Sequence, residues 1–333
     1  MKTVWLLVAA LAATLILLVA GVLGLRAWYA SSLEPVPRSA SDIVVLRIDS
    51  GASSAEIASQ LKQEGLIRSR LAFRWYLYRE GYSGRVQAGL YRLPTNLSVP
   101  ELATRLVNGD TDVHSLTITS GLRLDQIMTL LEKAGFNRAD IERALTASYP
   151  YTILSNKPAE VSLEGYLFPD TYRLEVDRPP EDLIDLILSN TEIKITDQIR
   201  QGWVQQGLNL HQGLTLASIV QKEVSKPDDQ RQVAQVFLKR LRIGMPLEAD
   251  PTFEYAAVLL GVPASTAIDS PYNTYKYAGL PPTPIATVEL SAVQAVANPA
   301  TTDWLYFLSD KEGVTHFTDN EEKHKQNIEQ YLR

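Results

Sequence analysis

Cysteine is absent from this chain of 333 residues. That absence excludes disulfide-stapled scaffolds, iron–sulfur clusters, cysteine-ligated zinc and cysteine nucleophiles. The chain has four histidines, and their scattered spacing forms no metal-binding motif; they are His114, His211, His316 and His324. The sequence contains no HExxH, Walker A or GxSxG element, so we expect neither a bound metal nor a cofactor.

Positive charge is also scarce. The chain has 32 Lys and Arg against 38 Asp and Glu, a formal net charge of −6. Its first 26 residues contain Lys2 and Arg26 and no acidic residue, so the remainder is more acidic still. Such a body is poorly suited to capture nucleic acid or an anionic lipid surface by charge. The length and the ordinary content of 45% hydrophobic and 21% charged residues predict a folded protein of two domains.

The chain begins with a long apolar run. Val4–Leu25 comprises 22 uncharged residues, which at about 1.5 Å per residue span roughly 33 Å and exceed a hydrocarbon core of about 30 Å. Trp5 and Trp28–Tyr29 flank the run, where an aromatic belt would lie. We expect a single-pass anchor over residues 1–30 and a Pro-containing linker over 31–42. A cleavable signal peptide is the alternative, and the few flanking basic residues leave the orientation open.

A strand–turn–helix pattern then recurs three times. If Ile48, Leu93 and Ile118 end the strands, a turn-former follows at +3 and apolar helix positions follow at +9 and +13. The residues are Gly51, Asn96 and Gly121 at +3, Ser53 and Ser98 at +5, Ile57, Leu102 and Ile127 at +9, and Leu61, Leu106 and Leu131 at +13. Gly or Asn at +3 predicts positive φ, and Ser at +5 predicts a helix N-cap. The third copy has Arg123 at +5 and loses that cap.

Between the first two copies lies a fourth amphipathic stretch, Leu71–Tyr78. The resulting order of strand, helix, helix and strand resembles the small LysM-like unit that binds glycan chains. We therefore expect an α+β protein with a LysM-like βααβ domain over residues 43–112 and a larger mixed α/β catalytic domain over 113–333. A folded spacer without a ligand is the alternative, because packing alone explains the repeat.

The clearest chemical signal is an acidic residue on an apolar helix face. Residues 216–224 have apolar side chains at i, i+3, i+4 and i+8 of a helix that Pro227 ends, and Glu223 occupies i+7 of that face. Desolvation there would raise the pKa of the carboxyl group, as a general acid working near neutral pH requires. The alternative is a glutamate that reaches solvent or pairs with an arginine such as Arg231 or Arg240.

A loop rich in Tyr, Asn and Pro follows, over residues 270–286. It has little net charge, and aromatic rings cover the apolar faces of sugars while amides bond their hydroxyl groups. This composition favours sugar recognition, with a rigid structural loop as the alternative.

Six motifs carry a family resemblance. They are ASIVQKE (217–223), FLKRLRIGMPLEADPT (237–252), YNTY (272–275), GLPPTPI (279–285), EGYLFPDTY (164–172) and HFT (316–318). With the anchor and the repeat they make nearly the whole chain resemble the YceG-like endolytic murein transglycosylase family. The resemblance implies a body outside the cytoplasmic (inner) membrane, on its periplasmic or extracytoplasmic side. It also implies cleavage of nascent peptidoglycan strands within the chain, in association with cell-wall synthases.

The resemblance also assigns residues. The family's single catalytic glutamate maps to Glu223. The candidate substrate-binding residues are Asp250, Thr252, Tyr272, Asn273, Tyr275, Pro282 and His316. The chain departs from the family pattern at Gln221, Thr283 and Lys325, where Glu, Gly and Asn are usual.

The implied mechanism needs one carboxyl group. Glu223 would protonate the oxygen of the β-1,4 bond between N-acetylmuramic acid and N-acetylglucosamine, then accept the proton of the muramyl C6 hydroxyl as that group attacks C1 and forms a 1,6-anhydro end. Hydrolysis, with Asp250 or Glu248 as a second carboxylate, is one alternative. A non-catalytic, membrane-anchored glycan-binding protein is another.

Overall fold

Helices and short two-stranded sheets build the chain. The computed structural model describes residues 2–37, 42–111, 113–175 and 178–332. The chain divides into two units, the first formed mainly by residues 1–113 and the second mainly by residues 114–333. The expected mixture of helices and strands, with one apolar helix at the N-terminus, is confirmed.

The first unit contains the N-terminal helix and two of the three repeats. Its elements are α1 (Lys2–Leu33), β1 (Ile43–Ile48), α2 (Ser54–Gln63), α3 (Arg70–Arg79), β2 (Gly89–Pro94) and α4 (Val99–Asn108). Strands β1 and β2 pair antiparallel, with Val45 opposite Arg92. The predicted order of strand, helix, helix and strand is therefore observed.

The helix starts, the buried positions and the two serine caps of the repeat are confirmed. The helices of the three copies begin six residues after Ile48, Leu93 and Ile118. Every +9 and +13 side chain is at most 3% exposed; these are Ile57, Leu61, Leu102, Leu106, Ile127 and Leu131. Ser53 Oγ accepts a hydrogen bond from the amide of Glu56 at 3.2 Å, and Ser98 caps α4 in the same way. Short-range patterning thus governs these helix starts.

One detail of the repeat is wrong. Gly51 and Gly121 have φ values of 82° and 75°, as predicted, but Asn96 does not adopt positive φ. Strand β2 runs one residue beyond Leu93, to Pro94, and the turn after it reaches α4 without a left-handed residue.

Helix α1 is long and apolar enough to cross a membrane over Leu11–Leu33, with a mean hydropathy of 2.0. It continues three residues into the segment predicted as a linker, because Ser32 is buried and Leu33 packs on the core of the small domain. Residues 38–41 of that linker, and the side chain of Trp5, lie outside the described residues. The first part of the expected spacer is therefore helix held against the small domain.

The second unit is mainly helical. Its elements are β3 (Val113–Ile118), α5 (Leu124–Lys133), α6 (Arg138–Thr146), a 3₁₀ turn (Thr152–Leu154), β4 (Asp170–Glu175), α7 (Pro180–Lys194), α8 (Asp197–Gln205), α9 (Leu210–Glu223), α10 (Pro227–Arg242), α11 (Asp250–Leu260), α12 (Leu290–Ala297), β5 (Tyr306–Ser309), β6 (Thr315–Thr318) and α13 (Glu321–Tyr331). Strand β3 pairs with β4, and β5 pairs antiparallel with β6. Residues 180–205 form two helices, because Thr196 Oγ1 caps α8 by accepting a hydrogen bond from the amide of Ile199.

Helix α9 lies at the centre of this unit. All residues from Gly213 to Val220 are buried, with α8, α10, α11 and α12 packed around them. Gly213 permits the contact with α8, since a Cβ at that position would lie 2.3 Å from Cδ2 of Trp203. Packing on all sides fixes the direction of α9 and hence the position of its last residue, Glu223.

Candidate active site

Glu223 ends α9 where the helix emerges from the core. Asn209 starts the helix, with Oδ1 accepting a hydrogen bond from the amide of Gln212 at 2.9 Å. Val224 follows in an extended conformation. The C-terminal end of a helix carries partial negative charge, which disfavours a carboxylate there. The buried helix therefore holds Glu223 in a place that disfavours its ionised form.

The pKa of Glu223 follows from these surroundings. Burial raises it to about 8, the negative charges of Asp250 and Glu254 add to the rise, and the charge of Arg240 opposes it. Within the described residues Glu223 makes no hydrogen bond or ion pair with its side chain. Arg231 donates to the carbonyl of Asn298 at 3.1 Å instead. The carboxyl group is thus largely protonated at neutral pH and free to donate to a ligand.

Arg240, the other arginine considered as a partner of Glu223, bonds instead to the loop that precedes α11. Its guanidinium is 5% exposed, donates to the carbonyls of Leu305 at 3.0 Å and Leu247 at 2.7 Å, and contacts Oε2 of Glu248 at 3.2 Å. Glu248 has a φ of 53°, the one positive φ outside glycine in the described chain. Arg240 therefore secures a strained turn beside the site and does not pair with Glu223.

Asp250 and Tyr275 lie within electrostatic range of Glu223. The Tyr275 hydroxyl donates to Oδ1 of Asp250 at 2.6 Å. Burial, and then the hydrogen bond and charge of Asp250, raise the pKa of Tyr275, and the charge of Glu223 adds to the rise. Both side chains reach solvent, so the structure brings these two predicted residues together with Glu223 at an accessible surface.

Thr252 and Asn273 turn inward instead. Thr252 Oγ1 donates to the carbonyl of Ala249 at 2.6 Å. Asn273 Nδ2 donates to the carbonyls of Thr266 at 2.9 Å and Ile268 at 2.7 Å. Both residues are fully buried, so in this conformation their polar groups hold the loop that carries Tyr275.

Tyr272 and Pro282 sit on the neighbouring part of the loop. Oη of Tyr272 and Oγ1 of Thr283 are hydrogen-bonded at 2.9 Å. His211 Nε2 lies 2.8 Å from the Pro282 carbonyl, which can only accept, so Nε2 carries the proton and Nδ1 accepts from the hydroxyl of Tyr166 at 2.8 Å. The sequence analysis assigned no role to His211. Because His211 lies in the first turn of α9, its hydrogen bond to Pro282 attaches the loop to that helix.

His316 lies in strand β6. Its Nε2 lies 2.8 Å from Oδ2 of Asp310, and its ring stacks on Tyr331 with centroids 3.8 Å apart. In the described part of the chain no hydrogen bond or ring contact joins it to Glu223, Asp250 or Tyr275.

Glu164 is a buried carboxyl group to which the sequence analysis assigned no role. Burial raises its pKa to about 7. Both of its oxygens accept from the amide of Leu124 at 3.0 Å, and the hydroxyl of Tyr255 donates to Oε2 at 3.1 Å. Leu124 begins α5, where Arg123 provides no capping side chain. Glu164 supplies that cap from 40 residues away and links α5 to α11.

Across residues 2–37, 42–111, 113–175 and 178–332, no three His, Asp or Glu side chains cluster in a way that could hold a metal ion. The half-buried carboxyl of Glu223, with its raised pKa, is placed to transfer a proton.

Comparison with known proteins places the chain in a family. The profile of the YceG-like family matches residues 46–330. The chain belongs to the YceG-like family. Its similarity to an endolytic murein transglycosylase of Bacillus subtilis is 35% identity over 323 residues, or 91% of this chain and 88% of that protein.

Two further comparisons extend this YceG-like relationship. The chain is 32% identical over 339 residues to an endolytic murein transglycosylase of Streptococcus pneumoniae, and the match covers 90% of this chain and 60% of the longer relative. A solved structure of a YceG-like protein from Listeria monocytogenes shares 30% identity and a TM-score of 0.57, covering 86% of this chain and 99% of that one. The family fold therefore extends over both units.

Proposed function

We propose that this YceG-like protein is a membrane-anchored endolytic transglycosylase of peptidoglycan. It breaks the β-1,4 bond between N-acetylmuramic acid and N-acetylglucosamine inside a glycan strand and leaves a 1,6-anhydro end. The observation that carries the proposal is the half-buried carboxyl of Glu223, which has no hydrogen-bond or ion-pair partner in the described part of the chain and a pKa raised to about 8. The murein transglycosylase relatives support the substrate class.

Glu223 serves as acid and then as base. Its proton passes to the glycosidic oxygen as the bond to the muramyl C1 breaks, and positive charge develops at that carbon. The carboxylate then takes the proton of the C6 hydroxyl, whose oxygen forms the new bond to C1. Glu223 ends protonated and no water is consumed. The negative charges of Asp250 and Glu254 that raise its pKa also favour the positive transition state.

The surroundings of the other carboxylates favour the lytic route over hydrolysis. A hydrolase needs a second carboxylate to activate water or to attack C1. Asp250 accepts a hydrogen bond from Tyr275 at 2.6 Å, and Glu248 is paired with Arg240. Of Glu223, Asp250 and Glu248, Glu223 is the one whose carboxyl group has no hydrogen-bond or ion-pair partner among the described residues.

The loop residues divide into two roles. We assign substrate contact to Asp250, Tyr272, Tyr275 and Pro282, whose side chains reach the surface. Thr252 and Asn273 contribute by holding the loop. The substrate-binding role of His316 stays a prediction, because its imidazole is engaged by Asp310.

Helix α1 provides the anchor in this proposal. Its apolar span crosses the cytoplasmic membrane once, with the body on the extracytoplasmic side where peptidoglycan lies. Such a body meets strands as cell-wall synthases produce them, so these synthases are proposed partners.

The small domain of residues 43–112 is proposed to bind the glycan strand in a LysM-like manner. A cleft of about 230 Å³ supports this role; it lies between the loop after β1 and the residues before β2. Ala52 lines the cleft, so Ala52→Phe in the full chain carrying Glu223→Gln should weaken binding of glycan strands in a calorimetric titration. The matched control is Ala55→Phe, on the exposed side of α2. Equal binding by both variants would show that the glycan does not bind in this cleft.

Mass spectrometry of the cleavage products tests the main proposal. The full chain in detergent is incubated with purified glycan strands. Internal cleavage should give shorter strands that carry 1,6-anhydromuramyl ends. Reducing muramyl ends would show hydrolysis. Intact strands would show a binding protein.

A further inference from the structure

Helix α3 exposes three large apolar side chains on one face. Leu71, Trp75 and Tyr78 are 67%, 55% and 69% exposed. Their spacing of i, i+4 and i+7 aligns them along the helix, and the rings of Trp75 and Tyr78 lie 5.6 Å apart. The other side of α3 is buried in the core of the small domain through Phe73 and Leu77. We call these three residues the α3 aromatic face. A cluster of this kind on a folded domain marks an interaction site.

The α3 aromatic face lies beside the end of the apolar helix. Helix α1 packs against α3, and the Arg79 guanidinium lies 5.9 Å from the ring centroid of Tyr29. Arg68, just before α3, donates to the carbonyl oxygen of Pro35 through Nε at 3.0 Å and Nη2 at 2.6 Å. These contacts hold α3 against the last turns of α1.

With α1 crossing the membrane as proposed above, that position falls at the depth of the lipid headgroups. The apolar run ends at Leu25, and Tyr29 follows by four residues, or roughly 6 Å along the helix. Trp28, beside it, is 46% exposed. Aromatic side chains that sit just beyond a membrane span occupy the interface between hydrocarbon and water. Helix α3 is attached to the chain at that level.

The charge of α3 also fits a lipid surface. The helix carries Arg70, Arg74 and Arg79 and no acidic residue, in a chain whose net charge is −6. Arg79 is paired with Glu80 at 2.7 Å, which leaves Arg70 and Arg74 as exposed cations flanking the aromatic face. A helix with aromatic and aliphatic residues on one side and arginines beside them is typical of segments that lie in the plane of a membrane interface.

We propose that the α3 aromatic face docks on the bilayer that α1 crosses. Leu71, Trp75 and Tyr78 enter the boundary between headgroups and acyl chains, while Arg70 and Arg74 contact anionic headgroups. The small domain then lies on the membrane in one orientation, and the docking rests on the anchoring role proposed for α1. The overall acidity of the chain does not oppose this contact, because the interaction is local to a basic helix.

The absence of cysteine makes a site-specific test direct. The full chain carrying a single cysteine, Trp75→Cys, is labelled with an environment-sensitive fluorophore and reconstituted into phosphatidylcholine vesicles with or without phosphatidylglycerol. Thr104→Cys on the exposed side of α4 is the matched control, and Leu18→Cys in α1 reports on the anchor. Lipids with a spin label at a shallow or a deep position act as quenchers.

The proposal expects a blue shift and a loss of fluorescence at position 75 with the shallow quencher, and a larger loss with the deep quencher at position 18. Position 104 should show neither change. Introducing Arg74→Gln into the Trp75→Cys chain should reduce the extra quenching that phosphatidylglycerol produces.

Two results would overturn it. If position 75 behaves like position 104 while position 18 is quenched, the α3 aromatic face does not touch the membrane. The anchoring role of α1 would still be supported. If glycan strands, and not lipid, shift the fluorescence at position 75, the face is a sugar-binding surface. Loss of quenching at position 18 as well would instead overturn the anchor in the proposed function.

Discussion

Two glutamates in the second unit have raised pKa values but different surroundings: Glu164 is buried and Glu223 is half-buried. Burial raises the pKa of Glu223 to about 8 and that of Glu164 to about 7. Glu164 accepts hydrogen bonds from the amide of Leu124 and the hydroxyl of Tyr255. Glu223 has no such partner within the described residues. A raised pKa therefore marks both groups, and the presence or absence of local donors separates a structural carboxyl group from one available to a substrate.

The strongest test of this comparison is Glu223→Gln. The amide keeps the size of the side chain but cannot cycle a proton, so cleavage should fall about 10²-fold or more. The rate of formation of anhydromuramyl ends measures the loss, and the thermal midpoint in detergent should stay close to that of the wild type. Cleavage near the wild-type rate would show that Glu223 is not the catalytic acid.

The pH profile gives the next largest effect. The acid form of Glu223 is the active one, so kcat/KM should fall above pH about 8, by about tenfold per pH unit. Glu164→Gln serves as the control and should keep the same alkaline limb. A wild-type limb near pH 7 that disappears in the Glu164→Gln variant would exchange the roles of the two glutamates.

Asp250→Asn should have a smaller effect. Asparagine keeps an oxygen that accepts from Tyr275, so we expect a loss of about tenfold or less. Removing the negative charge also lowers the pKa of Glu223, which should move the alkaline limb to lower pH. A loss equal to that of Glu223→Gln, with reducing muramyl ends among the products, would indicate a hydrolase.

The smallest effect on catalysis is expected for Glu164. Because its folded pKa is raised, the folded state binds the proton more tightly than the unfolded state, and stability falls as pH rises from about 4.5 to about 7. Glu164→Gln should flatten that fall, measured as the thermal midpoint at pH 5 and pH 8. Glu164→Ala leaves the Leu124 amide without its cap and should cost about 1–3 kcal/mol. Unchanged pH dependence in the Gln variant would contradict the raised pKa.

Local patterns predicted much of this architecture. The spacing of apolar residues located α2, α4 and α5 and their buried positions, and Ser53 and Ser98 were identified as N-caps. The same reasoning placed Glu223 at the end of a buried helix. These features depend on residues within about four positions of one another, which a helix or turn brings together without help from the rest of the fold.

Hydrogen bonds between residues far apart in the sequence could not be predicted from local patterns. The capping of α5 by Glu164 and the hydrogen bond from Tyr275 to Asp250 join positions 40 and 25 residues apart. Whether Thr252 and Asn273 face a ligand or their own loop depends on how that loop packs. The continuation of α1 to Leu33 depends in the same way on the small domain against which it lies.

The amino-acid sequence by itself determined the apolar first helix, the three-copy repeat and a carboxyl group on the apolar face of α9, because each follows from short-range periodicity and desolvation. Only the tertiary structure decided that, among the described residues, Glu164 has hydrogen-bond donors and Glu223 has none. Hydrogen-bond partners for a buried carboxyl come from whichever segments pack around it, and that choice is made by the whole core.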